Sequence, residues 1–352
     1  MKKIPCILMR GGTSKGVFLL ADDLPQHIEQ RDKEILALMG SGHDLQIDGI
    51  GGGSPQTSKV AIISRSTHPE ADIDYLFAQV SITEKIVDTA PNCGNILCAV
   101  GPFALEKGLI PITGATTTVR IRNVNTQTLI NATIQTPNQQ VTYQGETSIA
   151  SVPGTSAPIA LTFLDACGAK TGQFLPTGKP IDIFDGGIEA TCLDMATPVV
   201  IIAAQQLNKT GYESAQELES DRLFMQKLEA IRCQAGQAMG LGDVSHKVIP
   251  KPILISPARH GGTINARYFM PHKCHGALAV TGAIAIAAGV MLPNSIFPPF
   301  LAKNLDMQHI TIEHISGDFE VTLNLQGDFP QGLQASIIRT ARKLFAGDVF
   351  IP

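Results

Sequence analysis

Two side chains stand out as chemically able because of their neighbours. Cys93 sits in Ala90-Pro91-Asn92-Cys93-Gly94-Asn95, a polar, turn-forming stretch that runs into an apolar segment ending at Gly108. This pattern predicts a buried helix whose first turn carries the thiol. The unpaired N–H groups and partial positive charge of a helix start lower a thiol's pKa and can also hold a carboxylate. Lys59 closes a glycine-rich segment, Gly49-Ile50-Gly51-Gly52-Gly53-Ser54-Pro55-Gln56-Thr57-Ser58-Lys59, and opens a strand-like run. A lysine partly desolvated at a strand edge can serve as a general base. The glycines do not form a P-loop, because the lysine follows Thr-Ser and a strand comes next. Taken singly, each residue also has a plainer reading: a packed cysteine beside a cap, and a solvated lysine before a strand.

Polar donors surround these two. Arg10-Gly11-Gly12-Thr13-Ser14-Lys15-Gly16 mixes glycines, hydroxyls and cations without dinucleotide-site spacing, and suits an anion. Ser54, Thr57 and Ser58 offer hydroxyls. Asn92 and Asn95 offer amides, and Gly94 offers a close backbone approach. In the second half, Arg267 ends a strand-like run and Thr281-Gly282 opens an apolar helix. An arginine there could grip a carboxylate with two parallel hydrogen bonds. His272 and His275 are three apart with no further ligand, so no metal is expected. Lys251 mirrors Lys59 but sits between Pro250 and Pro252 and reads as structural.

These residues need a scaffold, and the chain repeats itself. Cys6–Met9 and Val17–Leu20 resemble Cys192–Met195 and Val199–Ile202. Lys59–Ser64 resembles Lys251–Ser256, Cys93–Gly108 resembles Cys274–Gly289, and Ile121–Val124 resembles Ile312–Ile315. Four segments recurring in the same order predict a duplicated architecture. Strands are expected at 59–65, 74–83, 117–122 and 129–135, and again at 253–256, 263–269, 310–314 and 320–326. The two central helices are apolar on nearly every face and must be enclosed by other structure. Strands wrapped round one helix, twice over, satisfy this. Residues 214–239 read as one amphipathic surface helix, with Ser214 and Glu217 at capping-box spacing. Gly and Pro concentrate near Pro176–Asp185, which places a boundary between domains 1–180 and 181–332.

Composition narrows the classes. The chain has 352 residues, 44% hydrophobic and 16% charged, with a net charge of −4 and no basic stripe, so nucleic acid is excluded as a partner. The longest apolar run, 277–292, is short for a membrane span and stops at Pro293. With no export signal, the cytoplasm is the expected compartment. Seven cysteines without zinc spacing read as reduced thiols.

At the motifs Met9–Gly16, Asp48–Gly53, Thr57–Ala61, Pro91–Asn95, Gly240-Leu241-Gly242-Asp243 and Cys274–Ala283 the chain resembles the PrpF-type 2-methylaconitate isomerases. That family also includes 4-oxalomesaconate tautomerases and aconitate isomerases. The resemblance implies an α+β, diaminopimelate-epimerase-like fold. Two pseudo-symmetric domains would each wrap a mostly antiparallel sheet round a central helix, with the site between them and residues 333–352 returning to the first domain. It carries the family's catalytic lysine onto Lys59 and its catalytic cysteine onto Cys93. It leaves two registers for a second thiol: Cys274 by the ungapped repeat, or Ala279 where Thr-Gly-Ala is retained. The second is preferred, which disfavours a two-thiol racemase.

The expectation is a cofactor-independent isomerase that shifts a proton on a small unsaturated di- or tricarboxylate. Lys59 would act as base and Cys93 as acid or auxiliary, although the order is open. Arg10, Thr13, Ser14, Lys15, Ser54, Thr57, Ser58, Asn92, Gly94, Asn95, Arg267, Thr281 and Gly282 would bind substrate. The alternatives are an amino-acid racemase or epimerase of the same fold and a non-catalytic carboxylate-binding protein. The sequence fixes neither the acid nor the oligomeric state, a homodimer being among the options.

Overall fold

The computed structural model describes residues 1–89, 92–164, 166–301 and 305–352. The chain divides into two compact units, Met1–Leu164 with Ile338–Pro352, and Asp165–Ile337.

The first unit opens with strands β1 (Lys2–Gly11) and β2 (Ser14–Leu20), helix α1 (Ile28–Met39), β3 (Lys59–Arg65), β4 (Ile73–Val80) and the short β5 (Val87–Asp88). Two short helices follow, α2 (Gly94–Leu97) and α3 (Val100–Glu106). Then come β6 (Thr116–Asn123), β7 (Thr128–Gln135) and β8 (Pro158–Phe163). The strands run in the order β1-β2-β3-β4-β6-β7-β8, and the 341–351 stretch of the last strand pairs antiparallel with β1.

Side-chain alternation sorts this sheet into two faces. On β3 and β4 the pairs Lys59↔Gln79, Ala61↔Phe77 and Ile63↔Tyr75 share one face. That face meets α2 and α3, for Phe18 packs on Phe103 with ring centroids 5.8 Å apart and the Tyr75 hydroxyl donates to the Cys93 carbonyl at 3.4 Å. The other face carries Val60, Ile62, Ala78 and Val80 against Ile35, Leu38 and Met39 of α1.

The second unit contains β9 (Asp182–Phe184), β10 (Ile188–Met195), β11 (Thr197–Ala203), α4 (Ala215–Ser220), α5 (Arg222–Ala238), β12 (Lys251–Ser256) and β13 (Ile264–Tyr268). It continues with α6 (Val280–Val290), β14 (His309–His314) and β15 (Gly317–Leu325), and β16 (Leu333–Ile351) begins in it. The order is β15-β14-β13-β12-β11-β10-β9, with 333–336 pairing onto β15. Helix α6 is buried on every side except at Thr281, which is why its sequence has no polar face. Helices α4 and α5 cover the opposite face, over Cys192, Val200, Ile202 and Leu254.

The duplication is visible within the units, in registers that only pairing reveals. Ile73 pairs parallel with Ile121, and Ile264 with Ile312. Counting along the antiparallel pairs then matches Phe77 with Tyr268, Ala61 with Ile253 and Lys59 with Lys251. Two expected alignments slip. Val60 pairs with Val17 and Pro252 with Val200, so Val17 corresponds to Val200 rather than Val199. Leu8 pairs with Val17 and Cys192 with Val200, so Cys192 matches Leu8 rather than Cys6. Runs of similar β-branched residues carry little register information, whereas the ladder fixes it.

The expected helix over 214–239 is two helices. Ser214 and Glu217 form the capping box that starts α4. Asp221 then leaves helical geometry (φ −82°, ψ 90°), and its carboxylate accepts the Phe224 N–H to start α5. An aspartate can cap a new helix in this way where its side chain competes for backbone N–H groups. No helix among the described residues is long and apolar enough to cross a membrane.

Candidate active site

Cys93 occupies the N-cap of α2 in extended geometry (φ −134°, ψ 97°), with its thiol half-buried. Its carbonyl accepts the Leu97 N–H at 3.0 Å and the Tyr75 hydroxyl. The first N–H groups of α2, those of Gly94 and Asn95 among them, have no acceptor within the helix. Ala90 and Pro91, which the motif reading included, lie outside the described residues.

Lys59 is the first residue of β3. Its Nζ donates to Gln79 Oε1 at 2.6 Å and stands 5.1 Å from the centroid of the Phe77 ring. Gln79 cannot turn away, because its amide nitrogen donates to the carbonyls of Ser58 (2.8 Å) and Pro55 (3.2 Å). The amide is held by its donors and presents its oxygen to the amine. Tyr75, which touches the Cys93 backbone, and Gln79, which holds Lys59, lie on the same face of β4. They are four residues apart, roughly 13 Å of strand.

The glycine hairpin joins these two places. A Cβ on Gly16 would fall 2.8 Å from the Lys59 carbonyl and 3.0 Å from Ile96 Cδ1, so only glycine lets β2 pass between β3 and α2. Gly12 adopts φ +52° beside the Asn95 side chain, a conformation glycine takes without steric cost. Thr13 and Asn95 pair reciprocally: Asn95 Nδ2 donates to Thr13 Oγ1 at 3.0 Å, and the Thr13 N–H points to Asn95 Oδ1 at 3.5 Å. The Lys15 N–H bonds the Gln56 carbonyl at 2.9 Å and ties the hairpin to the second glycine loop. The Lys15 ammonium has no hydrogen-bond or ion-pair partner among the described residues. Ser14 is buried. Asn92 Oδ1 accepts from the fully buried Asn123 at 2.6 Å, which leaves the Asn92 amide nitrogen as a donor. Ser54 and Thr57 bond each other at 2.9 Å.

Two expected substrate ligands are spent on structure, and a third, Arg267, is turned away from the site. The Arg10 guanidinium donates to the carbonyls of Gly12 and Thr340 (2.9 Å each), to Thr340 Oγ1 (3.0 Å) and to Ser156 Oγ (3.3 Å), so it is a strut between chain segments. Ser58 is fully buried, donates to the Val80 carbonyl and accepts from Gln46. Arg267 pairs across from Leu254, on the α4–α5 face of the sheet. Its neighbour Tyr268 is the residue whose ring meets Gly282 of α6. Alternation therefore turns Arg267 away from Thr281 and Gly282.

The two registers for a second thiol are resolved by the helix start. Ala279 is the N-cap of α6, as Cys93 is of α2. Cys274 lies before the helix, in the core beneath α5, where burial pushes its thiol up to about 12 despite the nearby Arg267. Two residues of the second unit were undervalued. Lys251, the counterpart of Lys59, has no glutamine to hold it, and burial, with a smaller contribution from Arg232, lowers its amine to about 8. The His275 ring packs edge-on against Tyr268, 6.0 Å between centroids, and burial holds it below the ordinary histidine range. Gln79, Tyr75 and Asn123 carried no sequence signal, because an isolated polar residue in a strand is uninformative until its partner across the ladder is known.

The comparisons with known proteins agree with this architecture. The chain belongs to the PrpF protein family, whose description matches residues 1–352. YbhH of Escherichia coli (strain K12), whose name carries isomerase but no substrate, is 58% identical over 352 residues, all of both chains. The 4-oxalomesaconate tautomerase of Pseudomonas putida is 47% identical over 350 residues, 99% of this chain and 96% of that one. The crystal structure of a methylitaconate-delta-isomerase superposes with a TM-score of 0.90 at 34% identity, over 99% of this chain and 96% of that one. The fold is the diaminopimelate-epimerase-like α+β arrangement, and the protein is an isomerase.

Proposed function

We propose that this isomerase moves a proton along the allylic or keto–enol system of a small unsaturated di- or tricarboxylate, with Lys59 as base and Cys93 as acid. One observation carries the assignment: the Lys59 amine and the helix start that bears Cys93, from separate segments, lie against the same face of β4, the amine held by Gln79 and the Cys93 carbonyl by Tyr75. Relatives named for 4-oxalomesaconate and methylitaconate point to the substrate class. In the reaction Lys59 Nζ takes a proton from a carbon next to a carboxylate or carbonyl. The C–H electron pair spreads into that group as a dienolate. Cys93 then gives its proton to the far carbon of the allylic system, or to oxygen in a tautomerisation. The lysine proton returns to the thiolate, and both groups recover their starting states.

We assign the Gly94 and Asn95 N–H groups and the Asn92 amide to the developing charge, since such donors stabilise an oxyanion electrostatically. Alternation puts the expected ligand Lys15 on the other face of β2, with Val17 and Leu19 on the α1 side. Thr13, Ser54 and Thr57 remain as hydroxyl ligands to carboxylates. The racemase reading is weaker, because Ala279 stands where a second thiol would be needed. Homodimer formation is compatible with this chemistry and is not required by it. The test is solvent-deuterium incorporation into a panel of unsaturated acids, including 4-oxalomesaconate, 2-methylaconitate and aconitate. Wild-type protein should label at least one of them and Lys59→Ala none. Binding without exchange in the wild type would instead identify a carboxylate-binding protein.

A further inference from the structure

The second unit contains a cavity of about 430 Å³ lined by Tyr212, Arg259, Asn265, Arg267, Glu313 and His314, among others. It lies against the face of β13 that carries Asn265 and Arg267, with β13 itself between it and α6. Its volume is in the range that small ligands occupy.

The charges that line it are unevenly compensated. Arg267 is 7% exposed. Its Nε donates to the Glu213 carbonyl at 2.9 Å, and its Nη1 donates to Asn265 Oδ1 and the Ala266 carbonyl at 3.0 Å each. Its Nη2 has no hydrogen-bond partner among the described residues, and no carboxylate pairs with the guanidinium. Arg259 is exposed, and its guanidinium carbon lies 3.3 Å from the centroid of the Tyr212 ring, which fixes the cation at the cavity wall. Tyr212 is held in turn by its hydroxyl, which donates to the Pro257 carbonyl at 2.7 Å. Glu213, whose charge acts on Arg267, spends its carboxylate on the backbone N–H groups of Thr210 (2.7 Å) and Gly211 (2.9 Å). The lining acid Glu313 pairs with neither arginine side chain among the described residues. Its oxygens accept the backbone N–H groups of Arg259 (2.7 Å), His260 (2.5 Å) and Gly262 (3.0 Å). Asp318 stands exposed at the rim. Burial and the neighbouring Arg267 favour the neutral form of His314, against the pull of Asp318.

A buried guanidinium with an unspent edge and a second one clamped on an aromatic ring form a rigid two-pronged receptor for planar or tetrahedral oxyanions. We propose that this cavity is an accessory binding site for a small oxyanion, a carboxylate or phosphate group, gripped by Arg267 and Arg259. The site is independent of the Lys59–Cys93 assignment.

The test is calorimetric titration of the full chain, with succinate in one arm and inorganic phosphate in the other. The arm that binds identifies the kind of oxyanion. A binding event retained in Lys59→Ala but weakened at least about ten-fold in Arg259→Ala and Arg267→Lys is expected. Turnover of Arg259→Ala should stay at the wild-type level. Arg259 is exposed, so Arg259→Ala decides the matter if Arg267→Lys does not fold. Wild-type-like binding in both arms by Arg259→Ala, or no binding event that survives Lys59→Ala, overturns the proposal.

Discussion

The helix-facing sides of the two units follow one plan, and two of their differences fall on residues that could do chemistry. Where the first unit has Cys93 at a helix start, the second has Ala279. Where the first has Lys59 gripped by Gln79 and seated over Phe77, the second has Lys251 with no such partner. The packing that a central helix demands is kept in both, since Gly16 and Gly282 each leave room where a methyl would collide. The two units thus share the framework, while the proposed Lys59–Cys93 pair has no full counterpart among the described residues of the second unit. A duplicated fold preserves contacts that bury area. It is free to lose a side chain that serves only chemistry.

The comparison can be broken or sharpened by substitution. The largest effect is expected at Lys59→Ala, with turnover falling by about 10³-fold or more if it is the base, read in a deuterium-exchange or absorbance assay. Lys251→Ala should cost far less, and equal losses would erase the asymmetry drawn here. Cys93→Ser should follow with roughly a 10²-fold loss in turnover, since a hydroxyl is a poorer proton carrier than a thiol near neutral pH. Gln79→Leu keeps the amine but frees it. A loss of about ten-fold is expected, mostly in kcat with KM little changed.

Lys251 offers a stability test. Burial holds its folded pKa at about 8, below the ordinary lysine value of 10.5. The folded state therefore binds fewer protons than the unfolded state between those two values. Stability rises with pH across that window, and the cost is fully present below about pH 8. At about 1.4 kcal/mol per unit this cost is roughly 3 kcal/mol, so Lys251→Met should be more stable than wild type at pH 7 by up to that amount. Denaturant unfolding at pH 7 and pH 10 checks it, and the gain should shrink at the higher pH. The smallest effect belongs to Cys274→Ala. Its thiol is buried under α5, so turnover should stay within about two-fold while stability drops by roughly 1 kcal/mol. A large loss of turnover would return Cys274 to the chemistry.

The sequence was informative where physics is local. The strand from Lys59 to Arg65 has the bounds its run of β-forming residues predicts. The capping box at Ser214 formed as its spacing required. It misled where position across a sheet matters. Arg267 reads as a cation at a strand end, yet a single step of alternation turns it away from α6. Ser58 reads as a loop hydroxyl, yet it lies in the core with both hydrogen-bonding roles filled. The helix expected over 214–239 broke at Asp221, because aspartate caps as readily as it continues.

Residue order alone determined the candidate amine and thiol, the enclosed helices and the duplication, because periodicity, glycine placement and motif spacing depend on near neighbours along the chain. Only the tertiary structure decided which glutamine holds the lysine, which cations are already spent, and which face of its strand Arg267 takes. Those facts depend on ladder register and on which face a side chain takes. Both are set by pairing between residues far apart in sequence, where a slip of one position reverses the outcome.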